Sequence, residues 1–119
     1  MSRFSFAVLL SLACSTPPSL GLTAPDVIPL VVENNTNTDF VAYLVSSGGA
    51  RQRMGLVTAN RIARFPLSIS LLREAPRVLI RQIADGEWMT DALHPVMRGT
   101  SIRLEVSGLG GIYGFLSYR

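Results

Sequence analysis

Eight short runs of β-branched, aromatic and other apolar residues, each closed by a cluster of turn formers, limit what this chain can fold into. The clearest is residues 101–107. Ile102, Leu104 and Val106 alternate there with Arg103 and Glu105, the period of a strand with one buried and one solvated face. Residues 28–33 and 40–45 are further runs of this kind, separated by Asn34-Asn35-Thr36-Asn37-Thr38-Asp39 and closed by Ser46-Ser47-Gly48-Gly49. Residues 51–58 and 61–67 make the next pair, with Ala63, Phe65 and Leu67 on one side. Residues 77–84 and 87–93 flank Asp85-Gly86, a dipeptide favoured where a tight hairpin needs positive φ. Residues 112–118 close the chain after Gly108-Leu109-Gly110-Gly111. Only residues 69–74 read as helical, with Ser68 or Ser70 as the cap and Pro76 as the stop. Short strands with turn signals about every ten residues predict an all-β fold. The expected architecture is an antiparallel β-sandwich of seven or eight strands, immunoglobulin-like or prealbumin-like, over residues 27–119.

The first residues read differently. Arg3 supplies a positive start, residues 4–13 carry no charge, and Ala13 stands directly before Cys14, the sole cysteine. A basic start, a short apolar run and a small residue at its end are the parts of an export signal. About ten apolar residues make roughly 15 Å of helix, half a bilayer core of about 30 Å, so the segment predicts a leader rather than a permanent span. Residues 14–26 hold Pro17, Pro18 and Pro25 among Ser, Thr and Gly, and predict an extended tether.

Leu10-Ser11-Leu12-Ala13-Cys14 resembles the lipobox of bacterial lipoproteins, with Ser11 where that family usually has leucine. The resemblance implies that Cys14 becomes a lipidated first residue, and Ser15 after it fits delivery to an outer membrane in a diderm cell. Ordinary cleavage before Thr16 or Leu22, giving a soluble secreted product, and an uncleaved chain are the alternatives.

The domain itself shows a further likeness. Val31-Val32-Glu33-Asn34-Asn35, Asp39-Phe40-Val41-Ala42-Tyr43, residues 51–57, Phe65-Pro66-Leu67 and the terminal Leu116-Ser117-Tyr118-Arg119 resemble a group of small, uncharacterised bacterial exported β-sandwich proteins. That resemblance implies the fold and export, and assigns no site.

Chemistry is sparse. His94 is the only histidine, with Asp91 three positions before it, and one histidine is a poor start for a metal site that needs three or four converging donors. No serine sits in the Gly-x-Ser-x-Gly elbow of a hydrolase. Gly108 to Gly111 joins two predicted strands, whereas phosphate-cradling glycines lead from a strand into a helix. No cofactor is called for. Every basic residue is arginine, and once Arg3 is removed ten arginines face eight carboxylates, too small a surplus for a nucleic-acid footprint.

Arg51, Arg53, Arg61 and Arg64 fall on two consecutive predicted strands and their connection, and period two puts Arg51 and Arg53 on one side. Guanidinium forks hold carboxylate and phosphate bidentately, so these four are the candidate binding residues for an envelope protein or an anionic glycan. The leading expectation is a non-enzymatic cell-envelope module anchored in the membrane through Cys14. Two alternatives are a small secreted hydrolase using His94 with Asp91, and a glycan-binding module using Trp88 with the tyrosines. Asn34-Asn35-Thr36 also forms a glycosylation sequon, read as a polar turn in a bacterium.

Overall fold

The computed structural model describes residues 26–82, 86–108 and 111–119. The predicted leader, Cys14, the predicted tether as far as Pro25, and Asp85 of the predicted hairpin lie outside the described residues.

Eight strands form two four-stranded sheets. They are β1 (Val27–Asn35), β2 (Phe40–Val45), β3 (Arg51–Val57), β4 (Ile62–Ser68), β5 (Arg77–Gln82), β6 (Gly86–Met89), β7 (Ile102–Ser107) and β8 (Tyr113–Tyr118). One helical turn, α1 (Ile69–Leu72), sits between β4 and β5. Ser68 caps it by accepting from the Ser70 N–H, and Ala75 takes φ 52 just before Pro76 ends the turn.

The sheet orders are β4-β1-β7-β8 and β3-β2-β5-β6. The first strand thus lies between the fourth and the seventh and makes no ladder with the second. An immunoglobulin sandwich pairs its first strand with its second. Of the two arrangements expected, only the prealbumin-like one is compatible with this order. The sheets are also not wholly antiparallel, because β1 runs parallel to β7 from Leu30↔Ile102 to Asn35↔Ser107. A parallel neighbour needs a long crossover, and here most of the chain intervenes.

β6 is shorter than the sequence implies, ending at Met89 where the run of residues extends to Leu93. Thr90 explains the stop. Its backbone N–H still donates to the Val78 carbonyl at 2.9 Å, but its hydroxyl accepts from the Val78 N–H at 3.0 Å and donates to the Asp91 carbonyl at 2.7 Å, so a side-chain oxygen takes the place of the backbone acceptor. The hairpin glycine behaves as expected, with Gly86 at φ 92.

The core lies between the sheets. Ile28, Leu30 and Val32 of β1 and Ile102, Leu104 and Val106 of β7 face Phe40, Ala42 and Leu44 of β2 and Val78 and Ile80 of β5. Each set keeps the period of two, and all are buried. Leu72 of α1 and Leu93 from the segment after β6 close one end. The two open sides are closed by aromatic residues set over glycines. A Cβ at Gly55 would stand 3.1 Å from the Phe65 ring, and one at Gly114 would stand 3.1 Å from Trp88.

The opposite end is closed by polar groups. Asn34 is fully buried, donating to the carbonyls of Thr38 at 2.9 Å and Val57 at 3.0 Å. Its Oδ1 accepts from the Thr36 N–H at 2.9 Å and from the Thr36 hydroxyl at 2.6 Å. Gln82 adds a bond to the Thr38 hydroxyl at 2.7 Å, tying the β1–β2 turn to β5. The sequon asparagine is therefore a structural staple whose amide points into the protein.

Candidate functional site

Register places the side chains. Directly opposed residues in a ladder point to the same face, so the outer face of the second sheet can be read row by row. Arg51 of β3 stands opposite Val45 of β2, which stands opposite Arg77 of β5. The next outward row is Arg53, Tyr43, Leu79 and Met89. The third is Leu56, Val41, Arg81 and Glu87. Among the described residues, four arginines and a single carboxylate thus share one sheet face, with Tyr43 near its centre.

The middle of this face is apolar and covered. Leu79 points outward and is only 3% exposed, so its neighbours on the face shield it rather than the core. Long arginine stems and Tyr43 suit that task, laying methylenes over apolar surface while their polar tips stay in water. Glu87 reaches two of the guanidiniums, Arg51 at 3.1 Å and Arg81 at 3.8 Å. These pairs are half-exposed and contribute little to stability. Arg53 and Arg77 have no ion-pair or hydrogen-bond partner for their guanidiniums among the described residues. The arginine columns on β3 and β5 are two strand spacings apart, about 10 Å, so a single extended anionic chain can touch both.

The sequence-derived cluster divides. Arg51 and Arg53 do share a face. Arg64 stands opposite Val31 on β1, on the outer face of the other sheet, and Arg61 is exposed in the turn between β3 and β4. That turn is tight, with Asn60 at φ 59 and the Arg61 N–H donating to the Thr58 carbonyl. Arg77, Arg81 and Tyr43 join instead. The spacing of Arg77 and Arg81 was a usable signal, because positions i and i+4 of a strand face the same way. That β5 lies beside β2 was not legible locally.

The outer face of the first sheet is charged differently. Arg103 bridges Glu33 and Glu105, with its Nε 3.3 Å from Glu105 and its Nη2 bonded to Glu33. Those two carboxylates hold its pKa above the ordinary arginine value, chiefly through the hydrogen bond that Arg103 donates to Glu33. This guanidinium is already satisfied within its own sheet.

The two alternative sites are placed as follows. His94 is exposed, its ring packs on Tyr118 with centroids 5.2 Å apart, and its backbone N–H donates to the Tyr118 hydroxyl. Among the described residues no serine or carboxylate is hydrogen-bonded to the imidazole, and Asp91 is exposed. Clefts of ≈ 570 Å³ beside Thr38 and Gln82 and of ≈ 580 Å³ beside Ser70 and Arg73 include neither His94 nor Asp91, and the cleft of ≈ 420 Å³ that Asp91 lines does not include His94. Trp88 lies opposite Ile80, faces inward and packs against the core with part of its ring exposed, lining a cleft of ≈ 420 Å³ with Asp91, Gly114 and Phe115. Its indole serves as a plug between the edges of β6 and β8.

No family model matches the sequence, and no curated protein is significantly similar to it.

Proposed function

We propose that this chain is an exported β-sandwich held at the cell envelope through a lipid on Cys14, and that it binds an anionic envelope partner, protein or glycan, on the outer face of β3-β2-β5-β6. The observation that carries the binding half is the concentration of Arg51, Arg53, Arg77 and Arg81 around Tyr43, with Glu87 as the one carboxylate among the described residues. Such a face combines charge, bidentate geometry and a shielded apolar floor, which together favour carboxylate or phosphate groups on an extended chain. The leader and the proline-rich tether support the anchoring half. No reaction chemistry is needed for this role.

The two halves are tested separately. Intact mass of the protein made with its own leader, beside Cys14→Ala, addresses the anchor. Added acyl mass on a product starting at Cys14, missing from the variant, is the expected result; an unmodified product starting at Thr16 or Leu22 refutes anchoring. For the face, Arg53→Glu combined with Arg77→Glu is expected to abolish crosslinks to envelope partners. The thermal midpoint should hold within a few degrees, because exposed unpaired charges contribute about 0.5 kcal/mol or less. Retained crosslinks refute this face.

A further inference from the structure

On the side of the sandwich where the edge strands β3 and β4 come together, a cleft of ≈ 200 Å³ opens between the sheets. A bulge in β3 shapes it. Ala42 pairs with Gly55 and Tyr43 with Arg53, so Met54 is skipped in the ladder. Bulges bend their strand and re-aim the side chains on it. Gly55 admits the Phe65 ring to 3.1 Å from where a Cβ would stand, and the cleft lies beside that ring.

Polarity changes from floor to rim. Leu44 and Leu67, both buried core residues, form the floor. Met54, Phe65 and Leu71 make half-buried walls. Gln52 and Arg53 stand exposed at the mouth, and neither the amide nor the guanidinium has a partner among the described residues.

We propose that this cleft binds a small hydrophobic carboxylic acid, with its apolar group on Leu44 and Leu67 and its carboxylate held by Arg53 and Gln52. An apolar interior with a few converging polar groups at its mouth is the usual build of a small-ligand site. Size sets the apolar group. Apolar cavities of about 150 Å³ take benzene, so there is room for one ring or a short branched chain.

Charge sets the polar end. Arg53 is the only charged residue lining the cleft among the described residues. The two strands that border it hold Arg51, Arg53 and Arg64 and no acidic residue. Apolar walls bordered by one sign of charge concentrate the field on the opposite ion, which excludes a cation and favours an acid over a neutral ligand. An unpaired guanidinium also suits the two oxygens of a carboxylate.

The borders disfavour an extended peptide. Pro66, at the rim, has no N–H to offer, and the bulge interrupts β3, so neither strand presents a continuous ladder to a peptide backbone. A small acid needs no ladder. Arg53 also borders the outward arginine face, but the cleft would take an acid whether or not that face binds a partner.

Methionine methyl resonances of the full chain with Cys14→Ala, titrated with 4-phenylbutyrate or with uncharged 4-phenylbutanol, test this. Met54 lines this cleft, whereas Met89 and Met97 lie in others. The Met54 methyl should therefore shift while those of Met89 and Met97 stay in place, with half-saturation by the acid at about 0.1–1 mM. Arg53→Gln should weaken the acid tenfold or more and leave the alcohol unchanged. Because Arg53 is exposed, that variant should keep the wild-type thermal midpoint within a few degrees, which separates a lost ligand from a lost fold. No Met54 shift at about 10 mM acid would overturn the proposal. So would equal binding of acid and alcohol, acid binding indifferent to Arg53→Gln, or tenfold tighter binding of a peptide that ends in phenylalanine.

Discussion

Replacing Asn34 with alanine is expected to be among the most damaging single changes in the domain, although the residue lies in a run of polar turn formers. Its side chain is wholly buried and takes part in four hydrogen bonds. One of the four is shared, since the single Thr36 hydroxyl proton can go either to Asn34 Oδ1 or to the Thr38 carbonyl. Alanine leaves the Val57 carbonyl and the Thr36 N–H without those partners, and both of these bonds are buried. Each buried orphan costs about 1–3 kcal/mol, so the loss comes to about 4 kcal/mol. In a domain of this size 1 kcal/mol moves the midpoint by about 4–8 °C, which puts the expected drop at 15 °C or more by circular dichroism.

Asn34→Asp sharpens the test, because it keeps the shape and removes only the donors. Its carboxylate would face two carbonyl oxygens, and burial without a cation raises the folded-state pKa above the unfolded one. A raised folded pKa gives stability that is present at low pH and lost as pH rises through it. The aspartate variant should therefore approach wild type on acidification, as the carboxyl recovers a proton to donate. A midpoint for Asn34→Ala within about 5 °C of wild type would show that the turn does not depend on this amide, and the reasoning would fail.

Further outcomes follow from the two plugged sides. Gly114→Ala should destabilise by about 1–3 kcal/mol, because the added methyl meets the Glu105 carbonyl at 3.0 Å as well as Leu104 and Trp88 at 3.1 Å; chemical denaturation reads this directly, and a neutral result would mean that β8 can shift outward freely. Trp88→Ala should cost about 3 kcal/mol through the cavity it leaves, and wild-type indole emission should move to longer wavelength only on unfolding. An emission maximum already like that of the unfolded chain would place the ring in solvent and favour the sugar-platform reading.

Much of the strand pattern is local and was legible. Ile102, Leu104 and Val106 alternate because one face of β7 is buried, and Asp85-Gly86 marks a hairpin because Gly86 accepts positive φ. Arg51 and Arg53 share a face for the same period-two reason. Local pattern did not say where β6 stops, since Thr90 ends it with a side-chain bond to β5. Nor could it show Asn34 as buried, because its partners Thr38 and Val57 become neighbours only when β2 and β3 fold back across it.

Pairing between strands was decided by the tertiary structure alone. β1 takes β4 and β7 as neighbours, across long stretches of chain, because that assembly buries the apolar faces of all three against the second sheet. The same choice sends Arg64 to one face of the sandwich and brings Arg77 and Arg81 to Arg51 and Arg53 on the other. Which way a side chain points is a property of its own strand, written in alternation. Which side chains it meets depends on the partner strand, and no periodicity within a strand encodes that.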